Sequence, residues 1–103
     1  MEGIRVEVRA EAFDPWREMG HWGGDSAAVA VFVGRVRATA MDGQPLQALE
    51  LEHYPGLCER QIRAMAEQLQ RHHGAGAMLV LHRVGRLVPG EPIVLVAVQA
   101  DRR

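Results

Sequence analysis

The sequence predicts an α+β domain. Helical periodicity is confined to two segments, whereas five stretches carry strand-type alternation or valine-rich runs. The strands follow one another through turn-forming connections rather than through regular crossover helices, in the rough order β-α-β-β-α-β-β. No repeat and no low-complexity segment interrupts this pattern.

The first strand is "IRVEVRA", in which Ile4, Val6 and Val8 alternate with Arg5, Glu7 and Arg9, so one face is buried. "DPWREMG" follows as a short helix, with Asp14 placed to accept from the first free N–H groups and Pro15 at the first helical position. "HWGGDS" is a loop. "AAVAVFVGRVRA" is an almost unbroken apolar run, which predicts a strand covered on both faces and central in its sheet. "TAMDGQP" carries the turn pair Asp42-Gly43, and "LQALELEHY" alternates again. These two runs are expected to pair as an antiparallel hairpin.

"PGLCERQIRAMAEQLQRHHG" is the clearest helix. Cys58, Ile62, Met65, Leu69 and His72 recur at helical spacing and form the expected buried stripe. Glu59 and Arg63, and Glu67 and Arg71, stand four apart on the other side, and Gly74 stops the helix. "AMLVLHRVG" is then a strand, "RLVPGEP" a turn and "IVLVAVQA" a last buried strand.

Composition removes several classes of function. The chain has 103 residues, enough for one domain, and a formal net charge of -1, so no general attraction to nucleic acid or to an anionic membrane is expected. All 12 basic residues are arginine, which excludes a Schiff-base or nucleophilic lysine within the chain and leaves bidentate anion binding open. With Cys58 as the one cysteine, neither an intramolecular disulfide nor a cysteine-based metal site is expected, and a cytoplasmic location fits. The charged, alternating start is not read as a signal peptide, and no apolar run approaches a membrane span.

Chemistry is sparse. Gly34 interrupts a strand, and Arg35 and Arg37, two apart in extended chain, share a face. Two guanidiniums at a strand end can grip a phosphate or carboxylate; equally, a strand emerging into water carries such charges. His53 reads as a core histidine, Cys58 as a buried structural thiol, and Pro55-Gly56 as the turn into the long helix. His21, His72, His73 and His82 show no metal-ligand spacing. No nucleotide-binding glycine fingerprint or nucleophile elbow is present.

The stretches "VFVGRVRA", "LELEHYPGLCERQI", "LHRVGRLVPGE" and "IVLVAVQADRR", in this order and at these distances, resemble the large, catalytic subunit of molybdopterin synthase. The resemblance covers residues 27–103. It implies a two-layer α/β hammerhead-type domain with a mixed, mainly antiparallel sheet. It also implies a homodimer, and a small ubiquitin-like partner whose C-terminal Gly-Gly carries a thiocarboxylate. Two such partners and two large subunits would form a heterotetramer. The implied reaction transfers sulfur from the partner to cyclic pyranopterin monophosphate, forming the molybdopterin dithiolene without a resident cofactor.

By resemblance, Arg37 matches the arginine closing the family's "G-x-V-R" strand, and Arg103 the last arginine of its "S-x-H-R"-like segment. Arg102 stands where the family has histidine, and Arg35 where it has lysine or arginine. These four are the expected substrate-binding residues. The family's catalytic lysines lie in a "K-x-x-x-P-x-W-K"-like motif for which this chain has no lysine, so its catalytic residues stay unassigned. The expectation is a single domain over residues 1–103, C-terminally truncated relative to the family. The alternative function is a non-catalytic scaffold that binds the sulfur carrier.

Overall fold

The computed structural model describes residues 3–23, 26–52 and 56–101, with Leu57 described by its backbone alone. The order is β1 (Ile4–Arg9), α1 (Pro15–Trp22), β2 (Ala28–Arg35), β3 (Leu49–Leu51), α2 (Leu57–His73), β4 (Met78–Arg83), β5 (Gly85–Leu87) and β6 (Pro92–Ala100). Four strands form one sheet in the order β1-β4-β6-β2, and β3 pairs with β5 in a second. β1 runs parallel to β4, while the β4/β6 and β6/β2 pairs are antiparallel. The sheet is therefore mixed and mainly antiparallel, and the α+β class holds.

α1 begins as its residues dictate. Asp14 Oδ1 accepts from the N–H groups of Trp16 at 3.0 Å and Arg17 at 3.4 Å. Its inner side packs Met19 and Trp22 over a core of Phe13, Leu79, Leu81, Leu95 and Ala97, joined by Val33 from β2. Fully burying each of these leucines is worth roughly 1.5–3 kcal/mol.

Three expectations are corrected. β2 is an edge strand and not a central one, and Val29, Val31 and Phe32 are 50%, 42% and 61% exposed. An apolar run reports a need for cover, not that the same chain supplies it. Nor does β2 form a hairpin with β3. Asp42-Gly43 does turn the chain, but it closes a small ribbon of its own. Leu46 N–H donates to Ala38 O at 2.9 Å, Ala40 N–H to Gln44 O at 2.8 Å, and Asp42 Oδ1 accepts from Gln44 N–H at 3.0 Å. β3 then leaves to pair with β5, inside the segment expected to be a strand end and a turn.

The third correction concerns α2. Ala66 is buried, Ile62 is half-buried, and Met65 and Leu69 are 62% and 44% exposed. The helix packs against β1 and turns the expected Met65–Leu69 ridge outward. Ala66 permits a close approach to the sheet that the longer side chains would prevent. Both ends follow the sequence: Glu59 Oε1 accepts from Gly56 N–H at 3.1 Å, and Gly74, at φ 68°, donates to Gln70 O at 3.2 Å.

Candidate functional site

Arg35 and Arg37 sit at one end of the β2/β6 pair, and their placement is built from the turn between β5 and β6. Val36, 4% exposed, lies between them and faces inward. Its N–H donates to Glu91 O at 2.9 Å and its carbonyl accepts from Gly90 N–H at 2.9 Å. With Val36 held on both sides, the alternation of extended chain puts Arg35 and Arg37 outward together.

That turn is itself anchored. The Arg83 guanidinium, on a residue 5% exposed, donates through Nη1 to Glu91 Oε2 at 3.0 Å and through Nη2 to Ala10 O at 2.9 Å. Glu91 Oε1 accepts from Val88 N–H at 2.7 Å. The Val88 N–H holds the Glu91 carboxyl below its ordinary range; burial opposes this and Arg83 reinforces it. Sequence reading missed this support. A strand arginine and a turn glutamate eight residues apart signal nothing until the strands are placed.

Gly34 completes the geometry. The register shifts between Gly34, opposite Val94, and Arg35, opposite Pro92, so Ile93 is the extra residue of a bulge. Pro92 has no N–H to lose at that point. A Cβ on Gly34 would lie 3.0 Å from Val94 Cγ1 and 3.4 Å from Phe32 Cε1, so any larger residue would press these side chains aside. The bulge turns Arg35 toward a cavity of about 350 Å³ lined by Arg35, Arg37, Thr39, Met41, Leu49 and Ile93. Its chemistry is that of a mainly apolar hollow with two arginine side chains at its wall, suited to an anion carried on an organic body.

Arg102 and Arg103 lie outside the described residues. Asp101, which precedes them, is at the far end of β6, where Ala100 pairs with Ala28. At ~3.3 Å per residue, that end lies roughly 23 Å along β2 from Arg35. A separate open cavity of about 630 Å³ is found there, with Ser26, His72, His73 and Asp101 on its wall. His53 lies outside the described residues. Cys58 is half-buried and, with Ile62 and His82, lines a third cavity of about 240 Å³.

With this geometry in hand, the comparisons with known proteins decide the family. The model described as "MoaE protein" matches residues 7–103. The chain belongs to the MoaE family.

Among MoaE relatives, the molybdopterin synthase catalytic subunit of Cereibacter sphaeroides is 44% identical over 97% of this chain and 68% of its own length. The one from Pseudomonas aeruginosa is 37% identical over the same shares, 97% and 68%. The solved MoaE protein of Burkholderia ambifaria superposes with a TM-score of 0.78 at 35% identity, covering 100% of this chain and 67% of that one. A Helicobacter pylori structure, described as a complex of subunits 1 and 2 of molybdopterin-converting factor, shares the fold at a TM-score of 0.72 and 19% identity, covering 95% of this chain and 66% of that one. The chain thus spans about two thirds of the length of the MoaE proteins it matches.

Proposed function

We propose that this chain works as the large subunit of molybdopterin synthase, in molybdenum cofactor biosynthesis. It takes sulfur from the thiocarboxylated tail of a small ubiquitin-like subunit and delivers it to cyclic pyranopterin monophosphate. The family membership carries the reading. The outward pair Arg35 and Arg37 beside an apolar hollow supports it, because a phosphorylated pterin presents an anion on a flat organic body. Among the described residues no helix is long and apolar enough to cross a membrane, and a cytoplasmic site of action fits a soluble substrate and carrier.

Arg37, Arg103, Arg102 and Arg35 are proposed to bind the substrate phosphate. In one copy Arg35 and Arg37 stand at one end of β2 and Asp101, next in sequence to Arg102, stands at the other, so the reading includes a homodimer. β2 is the open edge of the sheet and carries exposed Val29, Val31 and Phe32. A two-fold axis in an antiparallel β2–β2 pair must pass through a residue facing its own copy. Placed at Val31 or Phe32, it sets Arg35 beside Ala27 or Val29 of the second copy, near the end of that copy's β6. Residues 1–103 act as a single domain in this arrangement.

The chain's lack of lysine favours a second reading, in which it binds the carrier without turnover. The test is a synthesis assay with thiocarboxylated carrier and cyclic pyranopterin monophosphate, followed by oxidation to the fluorescent derivative. Product formation supports the catalytic reading. Carrier binding without product supports the scaffold, and no carrier binding contradicts both.

A further inference from the structure

The arginine hollow carries a hydroxyl on its wall. Thr39 is exposed and lines the hollow together with Arg35 and Arg37. The ribbon closed by Asp42-Gly43 fixes its place. Thr39 stands opposite Pro45 across the ribbon. The backbone bonds on either side hold it, Leu46 N–H to Ala38 O at 2.9 Å and Ala40 N–H to Gln44 O at 2.8 Å. In such a pair the two facing residues exchange no hydrogen bond, so Pro45 loses no donor there. Gly43, at φ 85°, donates to Ala40 O at 3.0 Å and lets the ribbon turn tightly. A β-branched side chain on a fixed backbone has few rotamers, so the hydroxyl is presented with little freedom left to lose.

The hydroxyl does what the arginines cannot. A guanidinium fork meets two oxygens in one plane, and it serves a carboxylate and a phosphate alike. A planar carboxylate held in that way has no oxygen left for a donor from a third direction. A phosphate ester is tetrahedral and presents further oxygens out of the plane. The apolar part of the hollow, with Met41, Leu46, Leu49 and Ile93, accepts the organic body of either.

We infer that Thr39 is a specificity-determining residue of the arginine hollow: its hydroxyl donates to an out-of-plane oxygen of a phosphate ester and so favours an organic phosphate over an organic carboxylate. The inference rests on the reading of this hollow as an anion site for a phosphorylated substrate. In that reading two organic anions meet the chain, the phosphate of the substrate and the thiocarboxylate of the carrier's tail. Thr39 reserves the hollow for the first.

The test is a nuclear magnetic resonance titration of the whole chain with phenyl phosphate and with benzoate, which share a body and differ in the anion. It compares the wild type, Thr39→Val, Thr39→Ser and Arg37→Ala, with thermal unfolding of each. Thr39→Val keeps the shape and removes the hydroxyl. It weakens phenyl phosphate by about fivefold or more, as expected for loss of a hydrogen bond to a charged group, and leaves benzoate within twofold and Tm unchanged. Thr39→Ser recovers most of the phenyl phosphate affinity, and Arg37→Ala weakens both probes. If Thr39→Val binds phenyl phosphate as the wild type does, or weakens both probes alike, the hydroxyl does not discriminate and the inference is overturned, while the arginine site stands. If the wild type binds neither probe, or Arg37→Ala changes neither, the anion reading of the hollow falls and the inference with it.

Discussion

Arg83 and Glu91 form a buried-to-surface ion pair, Nη1 to Oε2 at 3.0 Å, that connects the end of β4 to the turn holding Val36 between Arg35 and Arg37. The pair lies away from the cavity wall, yet the cavity depends on it. Arg83 also reaches Ala10 O, so one guanidinium joins the exit of β1, the end of β4 and the start of β6.

Arg83→Ala should therefore be among the costlier single substitutions. It removes a nearly buried guanidinium with its packing and its hydrogen bonds to Glu91 and to the Ala10 carbonyl, a loss of roughly 1–3 kcal/mol. Urea unfolding checks this. A change in midpoint below about 1 kcal/mol equivalent, the scale of an exposed pair, would mean the contact is decorative.

The pH dependence follows from Glu91. Its carboxyl titrates below the ordinary value of 4.5 in the folded chain, chiefly because it accepts from Val88 N–H and also because it faces Arg83. A depressed carboxylate contributes stability that is complete above its unfolded value and is lost as pH falls through its folded value. For Glu7 burial pushes the carboxyl up, but Arg9 and Arg5 together outweigh it and lower it, so it adds in the same direction. Urea midpoints measured between pH 7 and 3 should fall in the acid limb, and Glu91→Gln should flatten part of that fall. An unchanged slope in the variant would remove Glu91 from the account.

Gly34→Ala tests the bulge. The new Cβ would meet Val94 Cγ1 at 3.0 Å, and overpacking of this kind costs roughly 1–3 kcal/mol. Because Arg35 follows directly, binding of inorganic phosphate should weaken together with thermal stability. Loss of stability with unchanged phosphate binding would confine Gly34 to packing.

The exposed edge gives a prediction on assembly. Phe32→Glu changes a side chain that is 61% exposed in one copy, so the monomer should keep its fold and near-native circular dichroism. Placed on the β2 edge of two copies, it sets like charges close together, and sedimentation should show a shift from dimer toward monomer. A dimer of unchanged affinity would place the interface elsewhere.

Much of this fold was legible in the sequence because the local signals were strong: Asp14-Pro15 starts α1, Gly74 ends α2, and alternation marks β1. Pairing was not legible. The Asp42-Gly43 turn is where it was expected, but a turn fixes only its own ribbon, and the partners of β2 and β3 are set by the distant Arg83–Glu91 anchor and the β6 register. Burial was misread for the same reason. Apolar content cannot tell Val31 of an edge strand from Leu95 of a central one, nor Met65 from Ala66 on the same helix. Arg35 and Arg37 were found by their shared face, whereas the cavity between the end of α2 and the end of β6 carried no pattern.

The central claim is that the arginine pair at one end of β2 and the terminal arginines beyond β6 complete one anion site across two copies. The most direct measurement is equilibrium binding of pterin monophosphate to a co-folded mixture of Arg37→Ala and Arg103→Ala chains. Each variant alone should bind weakly, because every site it forms lacks one arginine. In the mixture half of the dimers are mixed and each holds one intact site, so tight sites should return at about one quarter of the wild-type number. A mixture that binds no better than either variant alone would contradict the shared site.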